Sequence, residues 1–162
     1  MTVQEILEFI KKYSCSLVCI TGGEPLLQKD LPRLIQRLLQ KKYTICLETN
    51  GSKNIQKYTG KKSLMISLDI KCPSSGYHQQ MNLKNIMFLS KKDQLKFIIK
   101  NKHDYEYAKI ILKKYKPKCS IFFQPVWGIK TKQLASWILD DGISVRLSVQ
   151  LHKLLWGAKR GV

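Results

Sequence analysis

The chain has 162 residues, of which 44% are hydrophobic, so it is long enough for one domain with a core and too apolar for a disordered protein. Its formal net charge is +18 at pH 7. No stretch is long and apolar enough to span a bilayer, and the first residues lack the basic-then-apolar order of a signal peptide. We therefore expect a single domain over residues 1–162 and a cytoplasmic location.

The first predicted element is an amphipathic helix over residues 2–13. Thr2 and Glu5 have the spacing of a capping box, in which each side chain accepts from the other residue's backbone N–H. A short apolar strand follows at residues 16–21. The apolar face of the helix is predicted to consist of Ile6, Phe9, Ile10 and Tyr13.

Helix and strand patterns then alternate to the end of the chain. Asp30 can cap the second helix, and Gly142 can end the last predicted one. Such alternation favours parallel βαβ units, so the expected fold is α/β, an open sheet or partial barrel of about six mostly parallel strands with helices outside. The later predicted strands cover residues 43–50, 64–71, 95–100, 119–126 and 143–150, and the later helices 82–89, 103–115 and 131–142.

The basic balance comes from 29 Lys and Arg residues against 11 Asp and Glu residues. An excess of this kind is typical of nucleic-acid-binding proteins. Here the lysines are scattered along predicted helices and turns, and the sequence has no arginine-rich block with interleaved aromatics. This distribution favours solvated faces, so neither nucleic acid nor a membrane is expected as a partner. A basic RNA-binding or scaffold protein stays as the alternative hypothesis.

Five cysteines are present, and an odd number argues against a disulfide framework. Cys15 and Cys19 lie close together in the sequence, but the tight paired spacing typical of zinc or iron–sulfur sites is missing. All of them are therefore expected to be buried thiols, and no metal ligand is predicted.

Polar residues stand at the carboxyl end of nearly every predicted strand. Because the carboxyl ends of parallel strands meet at one edge of a sheet, these residues are expected to form a cup of donors, acceptors and carboxylates. Each one alone is also consistent with a tight turn or an ordinary polar strand end. The strand-end residues are Thr21, Gly22, Gly23, Glu24, Glu48, Asn50, Asp69, Lys71 and Gln124.

Several stretches together resemble one family of enzymes. GGEP after a strand is similar to a motif of radical S-adenosylmethionine enzymes, and four further stretches resemble 7-carboxy-7-deazaguanine synthase within that superfamily. The resemblance implies a partial (β/α) barrel of the radical S-adenosylmethionine type and a lyase of the route to queuosine and archaeosine. The stretches are GGEP at 22–25, ETNG at 48–51, DIKCPSSG at 69–76, FFQPVWG at 122–128 and RLSVQLHKLLWGAKRGV at 146–162.

The resemblance also implies cofactors. The family uses S-adenosylmethionine, a 4Fe-4S cluster and Mg²⁺ to contract the ring of 6-carboxy-5,6,7,8-tetrahydropterin, the expected substrate, to 7-carboxy-7-deazaguanine. Its cluster loop has the pattern C-x-x-x-C-x-x-C, whereas in this chain Gly22 stands where a third cysteine would follow Cys15 and Cys19. We therefore expect a chain that lacks the N-terminal cluster-binding portion and is inactive alone. A truncated gene, a split enzyme with a missing N-terminal half, a homodimer and another radical S-adenosylmethionine family stay open.

Residue roles follow from the same resemblance. Gly22 and Gly23 are expected to approach the methionine part of S-adenosylmethionine, and Glu24 to accept from its ammonium group. Glu48 and Asn50 are expected to bind ribose hydroxyls. The cofactor set is completed by Asp69, Ile70 and Lys71 and by Gln124, Pro125, Val126 and Trp127, which would lie along the adenine.

Substrate contacts are expected from three further residues. They are Thr21, His152 and the terminal α-carboxylate of Val162. The alternatives are a structural histidine, a frayed terminus and, for Trp127, core packing. No catalytic residue is implied within the chain.

Overall fold

A computed structural model describes residues 1–128, 130–157 and 159, and for His152 it describes the backbone alone. The described chain forms one six-stranded sheet in which the strand order follows the chain order. Every neighbouring pair is parallel. The strands are β1 (Leu17–Ile20), β2 (Thr44–Thr49), β3 (Leu64–Lys71), β4 (Gln94–Ile99), β5 (Ser120–Pro125) and β6 (Arg146–Leu147).

Helices connect most of the strands. The predicted helix at residues 82–89 is a 3-10 helix at Leu83–Phe88. The α/β class, the six parallel strands and the helices between them confirm the predicted fold class. The α-helices are α1 (Val3–Ile10), α2 (Leu31–Gln40), α3 (Lys102–Tyr115), α4 (Thr131–Asp140) and α5 (Leu151–Trp156). Within the described residues, none of the helices has the length and apolarity that a membrane span requires.

Helices cover one face of the sheet and form the core with it. Along β2, Ile45, Leu47 and Thr49 are buried, whereas Cys46 and Glu48 between them are half-buried. The buried apolar residues of β2 and of α1, α2, α3 and α4 belong to one cluster. The alternate strand residues lie on the opposite face, which we call the open face. Its members include Cys19, Cys46, Glu48, Asp69, Lys96, Phe122 and Gln124.

The N-terminal helix differs from its prediction in the face that it buries. The Thr2–Glu5 capping box is present, as predicted. The buried residues, however, are Val3 and Leu7, with Ile10 partly buried beside them. The predicted stripe is therefore wrong at Phe9, which is 48% exposed, and at Tyr13, which is 60% exposed, whereas Ile6 is half-buried like Ile10. The two rings pack on each other instead, with centroids 5.7 Å apart.

Two further expectations are corrected. The last strand is Arg146–Leu147, much shorter than residues 143–150, because Ile143 and Val145 pack against the core from outside the sheet. Asp30 precedes α2 as predicted, but its side chain makes no capping hydrogen bond.

Candidate functional site

The predicted site residues lie along the carboxyl edge of the sheet. Residues 21–24 follow β1, 48–50 end β2, 69–71 end β3 and 124–127 end β5. Because all the strands are parallel, these segments share one edge. Neighbouring strands are about 4.8 Å apart, so the edge from β1 to β5 spans about 19 Å.

The GGEP turn exposes backbone. Gly22 and Gly23 have φ of +96° and +35°, values that L side chains rarely adopt. A Cβ at either position would meet nothing within 4 Å. The glycines are therefore required by the turn's conformation and leave open space in front of the backbone.

Glu24 connects this turn to the end of β2. Its buried carboxylate accepts hydrogen bonds from Leu26 N at 3.0 Å, Thr49 Oγ1 at 2.8 Å and Asn50 N at 2.8 Å. These contacts make Glu24 a positioning residue for both segments. Its predicted contact with a ligand ammonium group stays a prediction.

The buried side-chain amide of Asn85 holds the ETNG loop in place. Asn85 Nδ2 donates to Gly51 O at 3.0 Å and to Lys53 O at 2.7 Å, and its Oδ1 accepts from Ile55 N at 3.2 Å. Asn50 uses its Oδ1 to accept from Ser52 N at 2.9 Å. The loop is thus rigidly held, and the Nδ2 of Asn50 is the part of that side chain left for a ligand among the described contacts.

Charged side chains of three strands meet on the open face. Lys96 Nζ lies 3.5 Å from Glu48 Oε1, and Thr21 Oγ1 donates to Glu48 Oε2 at 3.1 Å. Asp69 stands opposite Lys96 in the register of β3 and β4. Burial raises the pKa of Asp69, while Lys96 and Lys71 lower it. Asp69 Oδ1 is buried and has no hydrogen-bond partner among the described residues.

The other predicted cofactor residues of this edge divide by orientation. Ile70 is fully buried in the core, so it offers a ligand only its backbone. Gln124 lies on the open face, where Ser148 Oγ is 3.5 Å from its Oε1. Val126 N donates to Ile99 O at 2.9 Å, which fixes the start of the turn. Trp127 is 47% exposed, so core packing does not explain it.

Two separate cavities adjoin these segments. One of about 660 Å³ lies beside the GGEP turn and is lined by Thr21 to Pro25 and by residues of α1 and α2. The other, of about 370 Å³, lies between the Pro125–Gly128 turn and α5. Hydrogen bonds and strand pairing bring the GGEP, ETNG and DIK segments together, whereas QPVW lies two strands beyond DIK along the same edge. Val162 and the side chain of His152 lie outside the described residues.

The cysteines differ from the expectation of buried thiols. Cys15 and Cys19 are exposed and Cys46 is half-buried, whereas Cys72 and Cys119 are buried as predicted. Cys19, Cys46 and Glu48 form the one group of three or more candidate metal ligands among the described residues. A 4Fe-4S cluster is held by cysteine thiolates. A group with two thiols does not fit the three-thiol loop that the resemblance implies.

Comparison with known proteins identifies the family. The sequence profile of the Radical SAM superfamily matches residues 1–121. The 7-carboxy-7-deazaguanine synthase of Thermoplasma acidophilum is 32% identical over 99% of this chain and 77% of its own length. The chain belongs to the 7-carboxy-7-deazaguanine synthase family. The family's members from Methanospirillum hungatei JF-1 and Clostridium acetobutylicum are each 34% identical, over 65% and 76% of their lengths.

A solved structure agrees with the family fold. The crystal structure of QueE from Escherichia coli matches with a TM-score of 0.71 at 21% identity, covering 93% of this chain and 64% of that one. This chain thus spans about two thirds to three quarters of the 7-carboxy-7-deazaguanine synthases that it matches.

The sequence did not single out Lys96 or the Cys19–Cys46 pair. Lys96 lies within an apolar strand whose alternation could have placed it on the open face with Gln94. The pairing of Cys19 with Cys46 depends on the register of β1 against β2, which no local pattern specifies.

Proposed function

We propose that this chain forms the S-adenosylmethionine-binding edge of a 7-carboxy-7-deazaguanine synthase. The observation that carries the proposal is Asp69, a half-buried carboxylate on the edge where the family motifs meet, whose buried Oδ1 has no hydrogen-bond partner among the described residues. Glu48 is already paired with Lys96. Asp69 therefore offers a cationic ligand an oxygen that no described residue uses, and S-adenosylmethionine carries a sulfonium and an ammonium charge.

The remaining roles follow the order of the strands. Gly22 and Gly23 would let the methionine part approach the backbone, and Glu48 and Asn50 would bind the ribose. Asp69, the backbone of Ile70, and Lys71 would contact the same cofactor from β3. Further along the edge, Gln124, Pro125, Val126 and Trp127 would lie along the adenine. Glu24 would act by holding the first two segments in place.

The proposed substrate is 6-carboxy-5,6,7,8-tetrahydropterin, and the proposed product is 7-carboxy-7-deazaguanine. In the complete enzyme, S-adenosylmethionine reduced by an electron from the 4Fe-4S cluster would supply the radical chemistry, and Mg²⁺ would assist. This chain's own residues would bind and orient the cofactor and the substrate and would exclude water from them. Thr21 would contact the substrate beside Glu48, and His152 and the α-carboxylate of Val162 would contact it from the tail.

We further propose that these residues, as one domain, do not hold the cluster or turn over by themselves. The two gathered thiols, Cys19 and Cys46, support this proposal. Iron analysis and a turnover assay on the anaerobically reconstituted chain test it. The expected result is neither a site-differentiated four-iron cluster nor product, and the detection of both would overturn it.

Binding of S-adenosylmethionine is tested by calorimetry. The wild type should bind it, and Asp69→Asn should weaken binding by about tenfold, or about 1.4 kcal/mol, because a charge-assisted contact is lost. The loss should be smaller for S-adenosylhomocysteine, which lacks the sulfonium charge. Asp140→Asn, a change at an exposed carboxylate of α4, is the matched control. No binding by the folded wild type, or equal binding by Asp69→Asn, would contradict the proposal.

A further inference from the structure

A second cluster of ligands lies on the open face at the β1–β2 end. Cys19 and Cys46 stand directly opposite each other in the register of these strands. Glu48 is two residues beyond Cys46 and therefore points to the same face. The two sulfur atoms and a carboxylate oxygen of Glu48 all lie within 4.8 Å of one another.

We propose that Cys19, Cys46 and Glu48 bind one thiophilic divalent cation such as Zn²⁺. Zinc is bound at about 2.3 Å by thiolate sulfur and at about 2.0–2.2 Å by carboxylate oxygen, which places two thiolates of a tetrahedral site about 3.8 Å apart. The present separations are at most 4.8 Å, so the sulfur atoms lie within about 1 Å of that distance. The fourth position would face outward from the sheet.

The charges of the surrounding groups favour a divalent ion. Two thiolates and one carboxylate carry three negative charges, and Lys96 beside Glu48 carries one positive charge. A divalent cation brings the total charge of these four groups to zero. Thr21 Oγ1 donates to Glu48 Oε2 at 3.1 Å and would orient the carboxylate.

Access and ligand softness point to the same class of ion. Cys19 is exposed and Cys46 half-buried, so an ion can enter from solvent. Thiolates select zinc and similar soft ions over magnesium and calcium, which prefer all-oxygen sites. Because both thiols are protonated before binding, each cation that binds releases two protons to the buffer.

The site is tested by titrating the reduced, anaerobic full-length chain with Co²⁺. We expect one equivalent of Co²⁺ to bind, with thiolate-to-cobalt charge-transfer absorption and the intense visible bands of tetrahedral cobalt. Zn²⁺ should then displace it. Cys19→Ser and Cys46→Ser should abolish the charge-transfer band at one equivalent, whereas Glu48→Gln should keep the band and weaken binding about tenfold.

Cys15→Ser is the matched control, since Cys15 is an exposed thiol that does not belong to the group. It should bind Co²⁺ like the wild type. Cys19→Ser changes an exposed side chain, and its circular dichroism and thermal unfolding establish that it is folded. Equal loss of the band in Cys15→Ser and Cys19→Ser, a stoichiometry above one, or no band in the reduced wild type would each overturn the proposal.

One consequence rests on the proposed function, in which Glu48 also binds the ribose. Zn²⁺ and S-adenosylmethionine should then compete, and each should weaken the other by the same factor. Absence of competition alongside a normal cobalt spectrum would contradict the proposed role of Glu48 and leave the metal site intact.

Discussion

The two faces of the sheet differ in the burial and pairing of their side chains. On the helix-covered face, strand residues such as Leu47, Ile66 and Phe97 are fully buried and contact other apolar side chains. On the open face, the same strands carry Glu48, Asp69 and Lys96, with incomplete pairing. Burial of apolar surface is the dominant stabilising term in folding. The comparison therefore predicts that changes on the covered face reduce stability, and changes on the open face reduce ligand binding.

The largest expected effect comes from a matched pair of phenylalanines. Phe97→Ala on the covered face should lower the free energy of unfolding by about 3–5 kcal/mol, because it leaves a cavity beside Phe123. Phe122 lies on the open face and is half-buried beneath Arg146. Phe122→Ala should cost about 1–2 kcal/mol. Urea unfolding measures both, and equal losses would remove the proposed distinction between the faces.

The next effect concerns the carboxylate that joins the two motif loops. Glu24→Gln should lower the free energy of unfolding by about 1.5–3 kcal/mol. The reason is that the buried carboxylate that accepts hydrogen bonds from Thr49 and Asn50 loses its charge and one of its acceptor oxygens. Glu48→Gln is the control, since Glu48 lies on the open face with 38% of its side chain exposed. It should cost less than about 1 kcal/mol. A reversed order would mean that Glu24 is not the positioning residue.

A smaller effect is expected for the ion pair on the open face. A double-mutant cycle with Glu48→Gln and Lys96→Met should give a coupling energy of about 0.5 kcal/mol, decreasing with added salt. The pair is separated by 3.5 Å and is partly solvated. A coupling energy of several kcal/mol would show instead that the open face contributes to stability as the covered face does.

The smallest effect has the opposite sign. Burial raises the pKa of Asp69 in the folded state above its ordinary value of 3.8. At pH values between the ordinary pKa and the raised pKa, the folded state therefore binds more protons than the unfolded state. The free energy of unfolding therefore falls as the pH rises through that window. Asp69→Asn removes the fall and should be more stable than the wild type at neutral pH, and unchanged relative to it at low pH. Urea unfolding at several pH values checks this, and a destabilised variant at neutral pH would contradict it.

The fold was largely predictable because its signals are local. Alternating helix and strand periods in LPRLIQRLLQ and LMISLDIK fix the element types, and the alternation of the two favours parallel pairing. The face of α1 was not predictable in this way. Val3, Leu7 and Ile10 form one apolar stripe and Ile6, Phe9 and Tyr13 another, and only packing on α2 selects between them.

The site was predictable in its motifs and less so in its contacts. GGEP and ETNG could be placed at strand ends from the sequence, but the two hydrogen bonds that join Glu24 to Thr49 and Asn50 connect residues far apart in the chain. The grouping of Cys19 with Cys46 and of Lys96 with Glu48 likewise depends on strand register. Such contacts are set by the whole sheet, so local patterns do not reveal them.

The strand order that equals the chain order has a consequence for assembly. Each strand pairs with the one synthesised just before it, so during translation every emerging strand finds its docking edge already formed. None of the six described strands has to insert between two earlier ones. The sheet is therefore extended one strand at a time in chain order. A further strand–helix unit could pair with either edge strand without changing the existing strand pairings.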